Sequence, residues 1–166
     1  MTEFQAYEFT AVDNLAAWTA EPTLRRVREH YAGAVWWRRV YASANLKVPG
    51  TFNSAAVARA AEHQGQARAE AVLRRLRETI FIGGREPDDA VLAGVPGLDL
   101  WRLRRDLESE AVRWSVEADR KLSRRYETLP SVLFRGPRGD RVVSGVASFE
   151  AYVAAIDAVA PLLEVA

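Results

Sequence analysis

The chain has 166 residues, 49% of them hydrophobic and 27% charged, and a net charge of +1. This is the balance of one globular domain, or one domain with an insertion, long enough to bury a core without metal or disulfide staples. There is no cysteine, which excludes thiolate chemistry, disulfides and cysteine metal sites in this chain, and the near-neutral charge gives no global attraction to nucleic acid.

The two histidines, His30 and His63, make no His-rich metal site without added carboxylates. No apolar run approaches the ~18 residues that a membrane helix needs. The stretch MTEFQAYEF lacks a basic segment followed by an apolar one, so no signal peptide is read and the cytoplasm is the expected location. Basic charge is almost all arginine; Lys47 and Lys121 are the only lysines.

In chain order, FQAYEFT alternates and is rich in aromatics, which predicts a first strand. AEPTLRRVREHY places Leu24, Val27 and Tyr31 at helical spacing, and Gly33 ends that helix. A second strand is expected over Ala34–Ala42, with Trp36 and Trp37 facing opposite sides; a right-handed crossover makes the two strands parallel. NLKVPGTFN, residues 45–53, reads as a loop. From Ser54 to Arg125 the pattern is helical. Three apolar stripes are expected there: Val72, Leu73, Leu76 and Ile80; Leu100, Leu103 and Leu107; and Ala111, Trp114, Ala118 and Leu122. Asp99 is placed to cap the helix that it precedes. Then come SVLFR, the turn GPRGD and the strand RVVSG, a hairpin, and a last amphipathic helix opened by Ser148. Order and periodicity alone give an α/β fold with a helical insertion.

Specific residues then carry a resemblance. FTAVDNLAAWTAEPTLRRVREHY resembles the first strand, active-site turn and first helix of the DsbA family, and most of all its FrnE-like branch. That branch shades into 2-hydroxychromene-2-carboxylate isomerases and kappa-class glutathione transferases. Phe9, Thr10, Trp18, Glu21 and Pro22 match in place. VARAAEHQG, LRRLRETIFIGGREPDD and LPSVLFRGPRGDRVVSG resemble later family segments in the same order. The resemblance implies a thioredoxin-like fold, residues 1–50 and 126–166, with an inserted all-α helical domain over 51–125. It also implies that Leu129-Pro130 is a cis-proline dipeptide and that a homodimer is available to the chain.

The departure is at the centre. Asn14 and Ala17 stand where the family has its two redox cysteines, and Leu15 replaces the proline between them. Disulfide exchange needs a thiolate, so that activity is excluded. Asn14 is also not the serine that binds a glutathione thiolate in the isomerase and transferase branches, so no cofactor is expected and glutathione or another small thiol is disfavoured.

Asp13 and Asn14 precede a helix, where capping is the ordinary role. The same geometry offers free backbone N–H groups to a carboxylate, phosphate or enolate. A desolvated Asp13 is the candidate general base and Asn14 the candidate oxyanion donor. Trp18, Tyr7, Leu129, Pro130 and His63 are candidate substrate contacts, each with an ordinary packing role beside it. Two function classes follow. One is a cofactor-independent isomerase or cyclase acting on a small organic substrate in a cleft between the two parts. The other is a non-catalytic adaptor that takes a peptide or protein at the proline edge.

Overall fold

The computed structural model describes residues 4–42 and 52–160; residues 45–51 of the loop expected at 45–53 lie outside this set. Eleven elements follow in chain order. They are β1 (Gln5–Thr10), α1 (Leu15–His30), β2 (Trp36–Tyr41), α2 (Ser54–Glu62), α3 (Gln66–Phe81), α4 (Asp89–Leu92), α5 (Leu100–Leu107), α6 (Glu110–Ser123), β3 (Ser131–Gly136), β4 (Gly139–Ser144) and α7 (Phe149–Val159). The chain is α/β, with a four-stranded sheet in the order β2-β1-β3-β4. It forms two compact units, Met1–Val40 with Ser123–Ala166, and Tyr41–Leu122. Among the described residues no helix is long and apolar enough to cross a membrane.

In the first unit β1 pairs antiparallel with β3, from Gln5↔Arg135 to Phe9↔Ser131, and β3 pairs antiparallel with β4. Successive side chains alternate faces, so Ala6, Val132 and Phe134 share one side. They are fully buried, against Ala20, Leu24 and Val27 of α1 and Tyr152, Ile156 and Val159 of α7. Each fully buried Leu, Val or Ile of this set contributes about 1.5–3 kcal/mol relative to exposure. Trp37 packs edge-on against Phe134 while Trp36 is 52% exposed, the opposite facings expected for neighbours on a strand.

The β3–β4 turn is tied to the last helix. The Arg138 N–H donates to the Val159 carbonyl at 3.1 Å. A Cβ on Gly136 would stand 2.5 Å from the same carbonyl oxygen and 3.1 Å from a ring carbon of Phe4. Gly139 closes the turn at φ +106°, a conformation that glycine adopts at least cost.

In the second unit the alanine-rich face of α2 buries Ala55, Ala58 and Ala61 against α3, which contributes Val72, Leu73 and Leu76. Asp99 caps α5 as expected, its Oδ1 accepting from the Arg102 N–H at 2.9 Å. The first helix begins at Leu15, directly after the Asp13-Asn14 pair expected to precede it; Asn14 supplies the cap and Pro22 is tolerated inside. One expectation fails. On α6 the expected stripe is turned outwards: Trp114 is 71% exposed, and Val112, Val116 and Asp119 face inwards. The reason is an ion pair. Asp119 is wholly buried, and its Oδ2 accepts from Arg59 Nε at 2.8 Å and from the Tyr41 N–H at 3.1 Å. That fixes the rotation of the helix.

Candidate functional site

The tip of α1 is built by Asn14. Its backbone is extended (φ −98°, ψ 116°), its Oδ1 accepts from the Ala17 N–H at 2.8 Å, and its carbonyl accepts from the Trp18 N–H at 3.1 Å. The capping reading of Asn14 is therefore realised, a contribution of about 1 kcal/mol. Ala17 is buried and Asn14 half-buried, so the two positions that hold sulfur in the DsbA pattern carry a cap and a core methyl. Leu15 stands 59% exposed. Asp13 is exposed as well, so its carboxylate lacks the desolvation that the proposed base role was to draw upon. Trp18 is half-buried.

Leu129-Pro130 is cis. The β1–β3 register carried one step past Phe9↔Ser131 sets Pro130 opposite Thr10, and one step further sets Leu129 opposite Ala11. The Asn14 N–H points back to the Ala11 carbonyl at 3.5 Å, so the proline segment and the α1 tip meet at one end of the sheet. Pro130 is buried and its carbonyl accepts from the Gly145 N–H at 2.7 Å. Ser131 Oγ donates to the Thr128 carbonyl at 2.7 Å, and Tyr126 stacks on Phe9 with ring centroids 3.9 Å apart. Half-buried Leu129 differs: its N–H and C=O have no hydrogen-bond partner among the described residues.

Tyr7 lies away from this end of the sheet. Tyr7 is three residues before the end of β1, about 10 Å down the strand. Its hydroxyl donates to Gln5 Oε1 at 2.9 Å and its ring meets Trp36. His63 belongs to the second unit, at the C-terminal end of α2. Its Nδ1 lies 3.5 Å from Asp106 and its carbonyl accepts from Arg102.

Beneath the tip lies a charge cluster that sequence reasoning missed. Glu8 of β1 receives Arg28 at 2.8 Å and Arg39 of β2 at 3.2 Å. Glu21 of α1 receives the same two guanidiniums at 2.5 and 3.2 Å. Two carboxylates and two guanidiniums balance, which is the condition for burying charge at all. The only signal in the sequence was the spacing of Glu21 and Arg28, two helical turns apart on one face. Tyr152 of α7, with no exposed surface, has its phenol pushed up to about 12, first by burial and then by the charge of Glu8. Among the described residues no three His, Asp or Glu side chains gather as a metal site.

A family model described as thioredoxin matches residues 26–153. The chain belongs to this thioredoxin family. The matched span begins inside α1, downstream of the tip. Solved structures extend the likeness over nearly the whole chain. DsbA2 of Pseudomonas aeruginosa is 20% identical with a TM-score of 0.70, covering 98% of this chain and 92% of its own. Reduced DsbA1 of Neisseria meningitidis is 14% identical with a TM-score of 0.69, covering 94% and 82%. The thiol-disulfide exchange protein alpha-DsbA2 of Wolbachia pipientis is 15% identical with a TM-score of 0.68, covering 93% and 80%. At these identities the likeness is one of fold. No curated protein matches the sequence. The thioredoxin-family chain described here thus has a DsbA-like fold and no cysteine, and thiol–disulfide exchange by the cysteine pair is closed to it.

Proposed function

We propose that this protein is a non-redox, peptide-binding member of its family. It takes an extended segment of a partner polypeptide at the end of the sheet formed by the α1 tip and Leu129. The observation that carries this reading is the pair of unpartnered Leu129 backbone groups beside an exposed Leu15. A donor and an acceptor on one residue suit main-chain pairing with a peptide, and the exposed Leu15 side chain at the same end of the sheet supplies an apolar contact. The isomerase or cyclase reading, with Asp13 as base and Asn14 as oxyanion donor, is served less well. Asp13 is bathed in water and the Asn14 oxygen is occupied by the helix that it caps.

Selection from a library of random linear peptides, followed by fluorescence anisotropy on an enriched sequence, tests the proposal. Leu15→Asp is expected to weaken binding at least about tenfold, a loss of about 1.4 kcal/mol, and His63→Ala to leave it unchanged. Failure to enrich any peptide, or equal affinity in Leu15→Asp, removes it. Turnover of a small organic acid that disappears in Asn14→Ala would return the protein to the enzymes.

A further inference from the structure

The second unit holds a cavity of about 830 Å3, open to solvent on one side. Its walls come from the first turns of α2, the start of α4, the end of α5 and the first half of α6, so the whole space belongs to this unit. Val57, Val112 and Val116 are buried and form its apolar base, and Phe52, Ala56 and Leu107 stand half-buried around them. Ala56 is what leaves room on α2, because its side chain ends one carbon from the backbone. Caps fix the two longer helices where they border the space. Asn53 Oδ1 accepts from the Ala56 N–H at 3.0 Å, and Ser109 Oγ accepts from the Val112 N–H at 3.3 Å.

The charged groups that line the cavity, Asp88, Asp89, Glu108 and Arg113, are all exposed, so three carboxylates border it against one guanidinium. Two arginines outside the lining approach these acids. Arg85 lies 3.8 Å from Asp88 and Arg104 lies 3.8 Å from Asp89, with more than half of every side chain in water, and such pairs hold weakly. The Glu108 carboxylate makes no hydrogen bond or ion pair among the described residues. Sites for small molecules have cavities of this size, with apolar walls and a few polar groups that set orientation. The polar groups here select a cation. A protonated amine gains the carboxylates, and the face of an aromatic ring such as Phe52 draws a cation as well. An organic acid would meet three like charges and one guanidinium.

We infer that this cavity is a binding site for a small hydrophobic amine. The apolar body of the ligand lies on Val57, Val112 and Val116, and its ammonium sits at the mouth among Asp88, Asp89 and Glu108. Neither the α1 tip nor Leu129 lines the cavity, so amine binding here and peptide binding there stand or fall separately.

Titration of the isotope-labelled full chain with 4-phenylbutylamine, followed through its amide chemical shifts, tests the inference. Saturable shifts of the amides around Ala56 and Val112 are expected, with a dissociation constant of about a millimolar or tighter, the range for a ligand of this size. The neutral 4-phenylbutanol and the acid 5-phenylpentanoate carry the same apolar body and are expected to bind at least about fivefold more weakly. Glu108→Lys, at an exposed position, is expected to weaken the amine at least about fivefold with an unchanged circular dichroism spectrum. Ala56→Phe is expected to abolish the saturable shifts by filling the space. Should that variant misfold, Glu108→Lys and the matched ligands still decide the matter. No saturable shift with the amine, equal or tighter binding of the acid or the alcohol, an amine affinity indifferent to Glu108→Lys, or binding retained in a folded Ala56→Phe would overturn the assignment.

Discussion

Each unit buries one carboxylate almost completely, Glu8 in the first and Asp119 in the second, and the two are neutralised in different ways. Glu8 shares two arginines with a second carboxylate, and the four groups come from β1, α1 and β2. Asp119 takes its cation from Arg59 and adds a bond from the Tyr41 backbone. The first arrangement is a mesh in which any one member has a stand-in. The second gathers an arginine and a peptide N–H on a single oxygen. Burying charge is expensive in either case, and what differs is how much of the cost reappears when one group is removed.

The largest expected effect therefore falls on the second unit. Asp119→Ala takes the wholly buried carboxylate from the Arg59 guanidinium, which keeps the partly exposed Glu62, and from the Tyr41 N–H, which loses that acceptor. A loss of about 3–5 kcal/mol is expected in urea unfolding, the range for breaking a buried pair from one side. Glu8→Gln is expected to cost less, about 1–3 kcal/mol, because Glu21 still faces both arginines. Equal losses in the two variants would erase the distinction between mesh and single pair.

Most of the fold was legible in the sequence, and particular residues show why. The caps Asp99 and Ser148 stand immediately before their helices and make the bonds that their short side chains suggest. Alternation in FQAYEFT and SVLFR gave the central strands, and the separation of Trp36 from Trp37 follows from a period of two. The charged interior was not legible. Glu8, Arg39, Arg59 and Asp119 look like surface residues one at a time, and only tertiary pairing makes them buried. That same blindness misplaced α6. A rule that buries Trp and exposes Asp puts Trp114 inside, whereas the Arg59–Asp119 pair turns the helix the other way. At the candidate site, the tip and the proline segment do adjoin; Tyr7 lies back along β1, and His63 belongs to the second unit.

The smallest effect concerns Tyr152, which adjoins the mesh. Its hydroxyl is buried without a hydrogen-bond partner among the described residues. Tyr152→Phe is expected to be stabilising at neutral pH, by up to about 1 kcal/mol, since it removes a polar group that had lost its water. In alkali the wild type is expected to weaken. Its phenol ionises near 12 when folded, against an ordinary value of 10.0, so between those values the unfolded chain gives up a proton that the folded chain keeps. The stability so gained is whole below pH 10 and drains away as the pH climbs towards 12. Tyr152→Phe should lack that loss, which thermal melts across the range would read out. A parallel decline in both proteins would mean that the phenol is hydrated after all.

Gly136 serves as an index mark for the hairpin. With the Val159 carbonyl 2.5 Å from where a methyl would begin, no other residue type fits at that point unless the backbone moves. Sliding β3 by one position would drive Arg135 or Pro137 into the gap. The end of the last helix thereby dictates which residues of the hairpin face the core and which face outwards, and a protein with an open edge at β4 has its alignment proofread from outside the sheet.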